Sequence, residues 1–421
     1  MLVLAVLDLG ALFSEEDVWA SSAEFFAVEH AKDGFVFTDE RRDAVNCLHH
    51  DTCSWHGLRV WETRVYFGKE TGGGVRRVEM SLFNRGDARG ERFGSDSLKR
   101  AVAVVAGGFG VPLKELKVEK TTLRNGAERR VCRFDRASPR GELVWGLSAE
   151  IDGPREIEYL RLALEPAGRA VPRPAARAAG RVNMAKIRAN VTKGPNGDVF
   201  IENVPMVDQG RKGYCAAAAA ERVLRYYGHS IDEHEVAQQA GTLAEGGTSV
   251  EAMRRAVTGI GEKNGLGFQN IISMSSGIGE LADEVERYNK AAKAERKPPI
   301  SLGDFTRGNV IYVSEMRAAM DVKVVYRMRQ KDSRMKKFSV GVRRQVNAGI
   351  PVFWGVELGI FPERGVNPQT SGGHMRLIIG YNDKRKEILF TDTWGEGHEL
   401  KRMPEDWAFT ITHDAFFIKP R

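Results

Sequence analysis

Cys215 stands where a thiol could become a nucleophile. In VPMVDQGRKGYCAAAAAERVLRYYG (Val204 to Gly228), the loop-forming residues Gln209-Gly210-Arg211-Lys212-Gly213 run directly into a helical pattern. Ala216, Ala220, Val223, Leu224 and Tyr227 recur at helical spacing, and Gly228 marks the stop. Cys215 falls in the first turn. There the unsatisfied backbone N–H groups and the positive end of the helix dipole favour the thiolate, which is the reactive form. Arg211 and Lys212 push the same way. A buried structural cysteine would fit this local context equally well, so a partner base is needed.

SGGHMRLIIGYN (Ser371 to Asn382) supplies one. His374 follows two glycines and opens a very apolar strand. A histidine there could take the thiol proton and return it to a leaving amine. The next strand pattern, EILFTDTWG, carries Asp392 eighteen residues on, and a hairpin would lay it beside His374 to orient the imidazole. Trp394 could shield that hydrogen bond from water. His229, His234, His398 and His413 lie in polar sequence contexts and are expected on the surface, away from the chemistry.

Taken together, these segments resemble papain-like cysteine peptidases over about residues 199–421. Gln209-Gly-x-x-Gly-x-Cys215 has the layout of that family's active-site segment, in which a Gln six residues before the Cys donates to the oxyanion. His374, then Gly380-Tyr381, then Asp392-x-Trp394-Gly395 follows the family's His…Gly-Tyr…Asn-x-Trp-Gly order. The Tyr-Cys-Ala-Ala run and the helix ending in Tyr-Tyr-Gly are closer to the C39-like bacterial branch, where Asp is commonly the third member. The resemblance implies peptide-bond hydrolysis with Cys215, His374, Asp392 and Gln209 as catalytic residues and a peptide or protein as substrate. It implies no metal and no cofactor. Ala216 departs from the Trp of papain and the Gly of C39 proper. C39 proper cuts after double-glycine leaders and is usually fused to a membrane exporter with an ATPase, and this sequence shows neither partner. Gly246-Gly247, ahead of a Thr248–Glu251 capping box, could pair with an extended substrate as a similar glycine pair does in papain-like enzymes; turn chemistry explains it as well. The same triad could instead run amide transfer or cleave peptidoglycan amides. A catalytically inactive binding protein of papain-like fold is the non-enzymatic alternative.

The elements that must hold these residues read as an α+β domain from about residue 199, helices first and strands after. Helices fit Tyr214–Tyr227, Asp232–Ala240, Ser249–Val257, Gly279–Lys293 and Val342–Asn347. Strands fit Pro351–Val356, Met375–Tyr381, Glu387–Thr393, Trp407–Thr412 and Ala415–Lys419. The stretch between residues 258 and 341 has no counterpart in the resemblance. Residues 166–198 read as a linker. Pro166, Pro172 and Pro174 break structure, and Arg169, Arg173, Arg177, Arg181, Lys186, Arg188 and Lys193 meet no acid before Pro195. Residues 1–165 read as a separate mixed domain. A helix from Ser14 to about Lys32 leads into strands at Leu58–Phe67 and Val75–Phe83, joined by a turn at Thr71–Gly74. A helix at Asp96–Ala106 and strands at Arg130–Phe134, Leu143–Ile151 and Glu156–Leu164 follow. This domain could bind a partner, or regulate the C-terminal half by covering its site.

Bulk properties narrow the remainder. The 421 residues carry a net charge of +7 spread along the chain, with no nucleic-acid motif. No apolar run reaches the roughly 18 residues that span a bilayer. Met1 to Phe13 has the apolar character of an export signal but no preceding Lys or Arg, and Asp8 interrupts it. It reads as a weak or truncated signal pointing to an extracytoplasmic location, or as a first buried strand. Four cysteines are too few for a disulfide framework. Cys47 and Cys53, near His49, His50, Asp51 and His56, fit a metal site, a local disulfide or unpaired loop thiols. Cys132 alternates as a strand residue of the core.

Overall fold

The computed structural model describes residues 6–48, 52–68, 73–88, 91, 93–123, 125–135, 138–150, 155–166, 182–229, 231–240, 250–263, 265–274, 277–363 and 371–421. The chain forms two compact units. One contains Met1–Ala175 with Asp208–Tyr214 and Asp232–Thr248; the other contains Ala176–Val207, Cys215–Ile231 and Ser249–Arg421. Both are mixed α and β, and among the described residues no helix is long and apolar enough to cross a membrane.

In the first unit the described residues form an eight-stranded antiparallel sheet. Its order is Val36–Phe37, Ala44–Cys47, Glu62–Phe67, Val75–Asn84, Ile157–Glu165, Arg140–Leu147, Glu128–Phe134 and Val118–Thr122. Alternating β-branched and aromatic residues favour these strands, and Val45, Val65, Val78, Met80, Leu143 and Leu162 turn into the core. The Ser95–Gly108 helix adds Ala101, Val105 and Ala106 to that core. The long helix expected from Ser14 is instead two short ones, Glu16–Ala20 and Ala23–Glu29. Ser21 is extended, and Ser22 caps the second helix by accepting from Phe25 N at 3.2 Å. The side chains of Phe25 and Val28 consequently point to solvent, while that of Phe26 is buried. The turn at Thr71–Gly74 lies partly outside the described residues, as do Met1 to Ala5.

In the second unit the sheet runs Val191–Lys193, Asp198–Ile201, Gly372–Asn382, Val352–Leu358, Thr412–Pro420 and Leu266–Ser273. Glu387–Thr391 pairs with Gly372–Asn382, and Lys401–Pro404 lies beyond it. All the pairings are antiparallel. Helices Cys215–Tyr226 and Arg334–Asn347 pack on the Gly372–Asn382 strand. Of the expected strand Trp407–Thr412, residues 407–411 lie instead in the helix Glu405–Ile411, and Thr412 opens the last strand. Short apolar runs do not separate helix from strand by periodicity. Here Pro404 before the helix, with Glu405 and Asp406 in its first turn, favours helix.

The stretch without a counterpart in the resemblance is mostly helical, and the helix expected at Gly279–Lys293 is present as Ile278–Ala294. Helices Ile278–Ala294, Val313–Ala318 and Val322–Gln330 enclose a small core of Leu281, Val285, Tyr288, Ala292, Met316, Met320, Val324 and Val325. Asp321 caps the third of these helices through Lys323 N and Val324 N. Within the expected linker, Met184–Ala189 is a helix capped by Asn183, and Val191–Lys193 is an edge strand. Residues 167–181 lie outside the described residues.

Candidate active site

The helix Cys215–Tyr226 is built to be enclosed. Ala216 to Ala220 are no more than 2% exposed, and their methyl groups let the helix approach the Gly372–Asn382 strand closely. The helix ends where Gly228 N donates to Arg225 O and His229 N to Leu224 O, both at 2.9 Å. From its buried face Arg222 donates to Pro205 O and Thr391 Oγ1, each at 2.7 Å, and to the carbonyl of Asp392. The helix that begins with the thiol is thereby tied to the strand end that carries the carboxylate.

His374 lies on the Gly372–Asn382 strand opposite Val356, and Asp392 follows the Glu387–Thr391 strand that pairs beside it. The expected hairpin is formed. His374 Nε2 stands 2.5 Å from Asp392 Oδ1, with both side chains fully buried. Thr393 N donates to the same oxygen at 3.0 Å, and Arg376 Nε ion-pairs with Oδ2 at 2.8 Å. Arg376 also grips Glu363 bidentately at 3.0 and 2.8 Å. The indole of Trp394 stacks on the imidazole, with centroids 4.4 Å apart and planes 15° apart. With Nε2 committed to the carboxylate, His374 Nδ1 is left for the half-buried thiol of Cys215.

The electrostatics follow from this packing. Burial raises the Cys215 thiol. Hydrogen bonding and charge from His374, with the backbone N–H groups of Met375 and Ala216, outweigh that and bring it below the ordinary thiol value. Burial works against a charged His374, but the charge and hydrogen bond of Asp392, and then Cys215, push it up to about 9. Burial also opposes the Asp392 charge, and His374 and Arg376 overcome it and hold the carboxyl well below the usual range. Both shifts run in the direction that favours a thiolate beside an imidazolium.

Three of the expected catalytic residues, Cys215, His374 and Asp392, thus meet in one unit. Gln209 is buried in the Asp208–Tyr214 segment of the other unit, where its Nε2 donates to Lys212 O at 3.0 Å. Gly246 and Gly247 lie outside the described residues. His229 and His398 are half-buried, and His234 and His413, expected on the surface, are buried. Each faces a carboxylate distant in sequence: Glu62 lies 3.6 Å from His234, and Glu357 lies 2.9 Å from His413. Arg222, Arg376 and Glu363 escaped the sequence reading. A lone arginine inside the apolar run MRLII was the available signal for Arg376.

Cys47 and Cys53 are not loop residues; both are buried strand thiols with no disulfide between them. Cys47 Sγ contacts Asp33 O and Thr52 Oγ1, each at 3.4 Å. His49, His50 and Asp51 lie outside the described residues. Among the described residues, Glu62, Glu233 and His234 offer ligand atoms within 4.8 Å of one another, as a metal would need. The Lys212 ammonium already sits among them, bonded to Glu62 and 3.2 Å from Glu233 Oε1. With Arg64 2.9 Å from Glu233, the chain's own two cations balance the two carboxylates of that cluster.

Part of the chain is similar to a known family. Residues 280–412 match the Peptidase_C39 like family, a span that includes His374, Asp392 and much of the formerly unread helical stretch; Cys215 and Gln209 precede it. No curated protein matches the chain. Among solved structures, the peptidase domain of Streptococcus ComA, a bi-functional ABC transporter of a quorum-sensing pathway, is similar at 11% identity and a TM-score of 0.26. That match covers 52% of this chain and 100% of the other. A double glycine motif protease from an AMS/PCAT transporter is similar at 12% identity and 0.25, covering 52% and 93%. Xylellain, a cysteine protease from Xylella fastidiosa, is similar at 13% and 0.26, covering 56% and 89%. On this match, residues 280–412 belong to the Peptidase_C39 like family.

Proposed function

We propose that this chain is a cysteine peptidase that hydrolyses peptide bonds through a thioester on Cys215. The observation that carries the reading is the buried His374–Asp392 pair beside the half-buried Cys215, with the thiol shifted down and the imidazole up. The Cys215 thiolate attacks the peptide carbonyl. Imidazolium His374 gives its proton to the leaving amine, then takes one from water as the thioester is hydrolysed. Asp392 holds the ring in one orientation and stabilises its charged form. Gln209 and the Cys215 backbone N–H are the oxyanion donors, and losing one such donor typically costs about 10²–10³-fold in rate.

The test is the rate of Cys215 alkylation by iodoacetamide from pH 4 to 10, with peptide mapping to separate the thiols. Rapid labelling well below the ordinary thiol pKa of about 8.5, lost in His374→Ala, is the expected result. A Cys215 that titrates as an ordinary thiol, or a Cys215→Ala protein that still hydrolyses casein, would overturn the assignment.

A further inference from the structure

The loop that carries Gln209 is held from both ends by one strand of the N-terminal sheet. On the strand Glu62–Phe67, the side chains of Glu62 and Arg64 point the same way, two residues apart. Arg64 Nη2 donates to the carbonyl of Asp208 at 3.0 Å, immediately before Gln209. Glu62 binds the ammonium of Lys212, whose own carbonyl accepts from Gln209 Nε2 at 3.0 Å. Glu233 lies between the two cations, 2.9 Å from Arg64 Nη2 and 3.2 Å from Lys212 Nζ. Asp87 Oδ2 is 3.8 Å from the same ammonium. Every one of these groups is buried or nearly so. Between the two anchors, Gly210 takes a φ of +66° and its N–H closes a turn onto Asp208 Oδ1 at 2.9 Å. Beyond them Tyr214 lies against Gly86, where an added Cβ would come within 2.6 Å of its ring.

This is more than a loop resting on a surface. A lysine whose side chain has no exposure forfeits its hydration, and only matched carboxylates at short range offset that cost. The buried charges therefore leave Lys212, and with it the carbonyl that orients the Gln209 amide, few alternative positions. We propose that Glu62 and Arg64 are positioning residues for Gln209. This rests on the assignment of Gln209 as oxyanion donor in the proposed function. It gives two residues of the Glu62–Phe67 strand a role in the reaction itself.

Two reactions of the same thiolate separate positioning from general damage, both run on the full chain with the Cys215→Ala rate subtracted. With p-nitrophenyl acetate the thiolate adds to the ester carbonyl, a C–S bond forms, the C–O bond breaks, and p-nitrophenolate leaves. That path passes through an oxyanion. With iodoacetamide the thiolate displaces iodide from carbon, and no oxyanion forms. Glu62→Gln is expected to slow acylation by about 10- to 100-fold while the iodoacetamide rate at pH 6.5 holds. Gln209→Ala gives the same pattern, and the double variant is no slower than Gln209→Ala alone, because both act through one group. If Glu62→Gln does not fold, the paired change Glu62→Met with Lys212→Met removes both buried charges and is read the same way. Positioning is overturned if Glu62→Gln acylates at the parent rate, if both reactions slow equally, or if the two losses multiply. If Gln209→Ala itself acylates normally, the oxyanion assignment falls and the positioning role falls with it.

Discussion

Asp392 Oδ1 lies 2.5 Å from His374 Nε2, in a site where both side chains are fully buried and Trp394 covers the ring. The ion pair is retained without water because Arg376 and Thr393 N supply the carboxylate with further positive partners. Activity should follow the two ends of the proton relay. The rate is expected to rise as Cys215 ionises, hold through neutral pH, and fall as His374 loses its proton near pH 9. Asp392→Asn removes the charge that raises the imidazole, so the descending limb should move to lower pH. The plateau should fall by roughly 10²–10⁴-fold. A pH–rate profile of each protein on p-nitrophenyl acetate checks both statements; an unmoved descending limb would contradict them.

Arg376 should matter to stability as much as to activity. Its guanidinium has no exposure and compensates Asp392 and Glu363 together. Arg376→Met takes the shared cation from two carboxylates, leaving Asp392 to His374 and Glu363 to Lys401 at 3.9 Å, and a loss of about 3–5 kcal/mol is expected. Arg376→Lys should recover little of it, since an ammonium cannot reproduce the two parallel bonds to Glu363. Urea unfolding of the three proteins measures this directly.

Glu357 should set a stability slope near neutral pH. Burial pushes its carboxyl up to about 7; Arg317 opposes the rise and Glu284 adds to it. The folded pKa is above that of the unfolded chain, so the contribution is complete below the unfolded value of about 4.3. It is lost as pH rises through 7. Glu357→Gln should flatten the dependence between pH 4 and 8, a span worth up to about 3 kcal/mol for the parent. Unfolding midpoints at four pH values would show whether the slope disappears.

The four thiols should differ sharply in reactivity. The neighbouring Cys47 thiol, and burial after it, push Cys53 up, while burial alone raises Cys132. Cys215 is the one shifted down among those three. A short pulse of iodoacetamide at pH 6 should therefore label Cys215 at least tenfold faster than the other thiols, as read by peptide mass. Labelling spread evenly over the four would contradict this ordering.

How much of this was legible in the sequence depends on the range of the physics involved. Chain-local rules placed Cys215 in the first turn of a helix, His374 near the head of an apolar strand and Asp392 one hairpin away. Each follows from spacing, from helix-end electrostatics or from the period of a strand. Two local signals misled. The run at 407–412 was too short for its period to decide, and Ser14 looked like the cap that Ser22 provides.

Only tertiary structure decided which distant charges meet. Glu62 and Lys212 are separated by 150 positions, and Arg222 reaches the carbonyl of a residue 170 positions on. Nothing in the neighbourhood of either residue announces its partner, because periodicity encodes which face is apolar and is silent on how buried charges are matched. The sequence by itself determined the order of the catalytic groups and the elements that bear them. Folding decided their pairing, since a charge removed from water is stable only where the rest of the chain brings it a counter-charge.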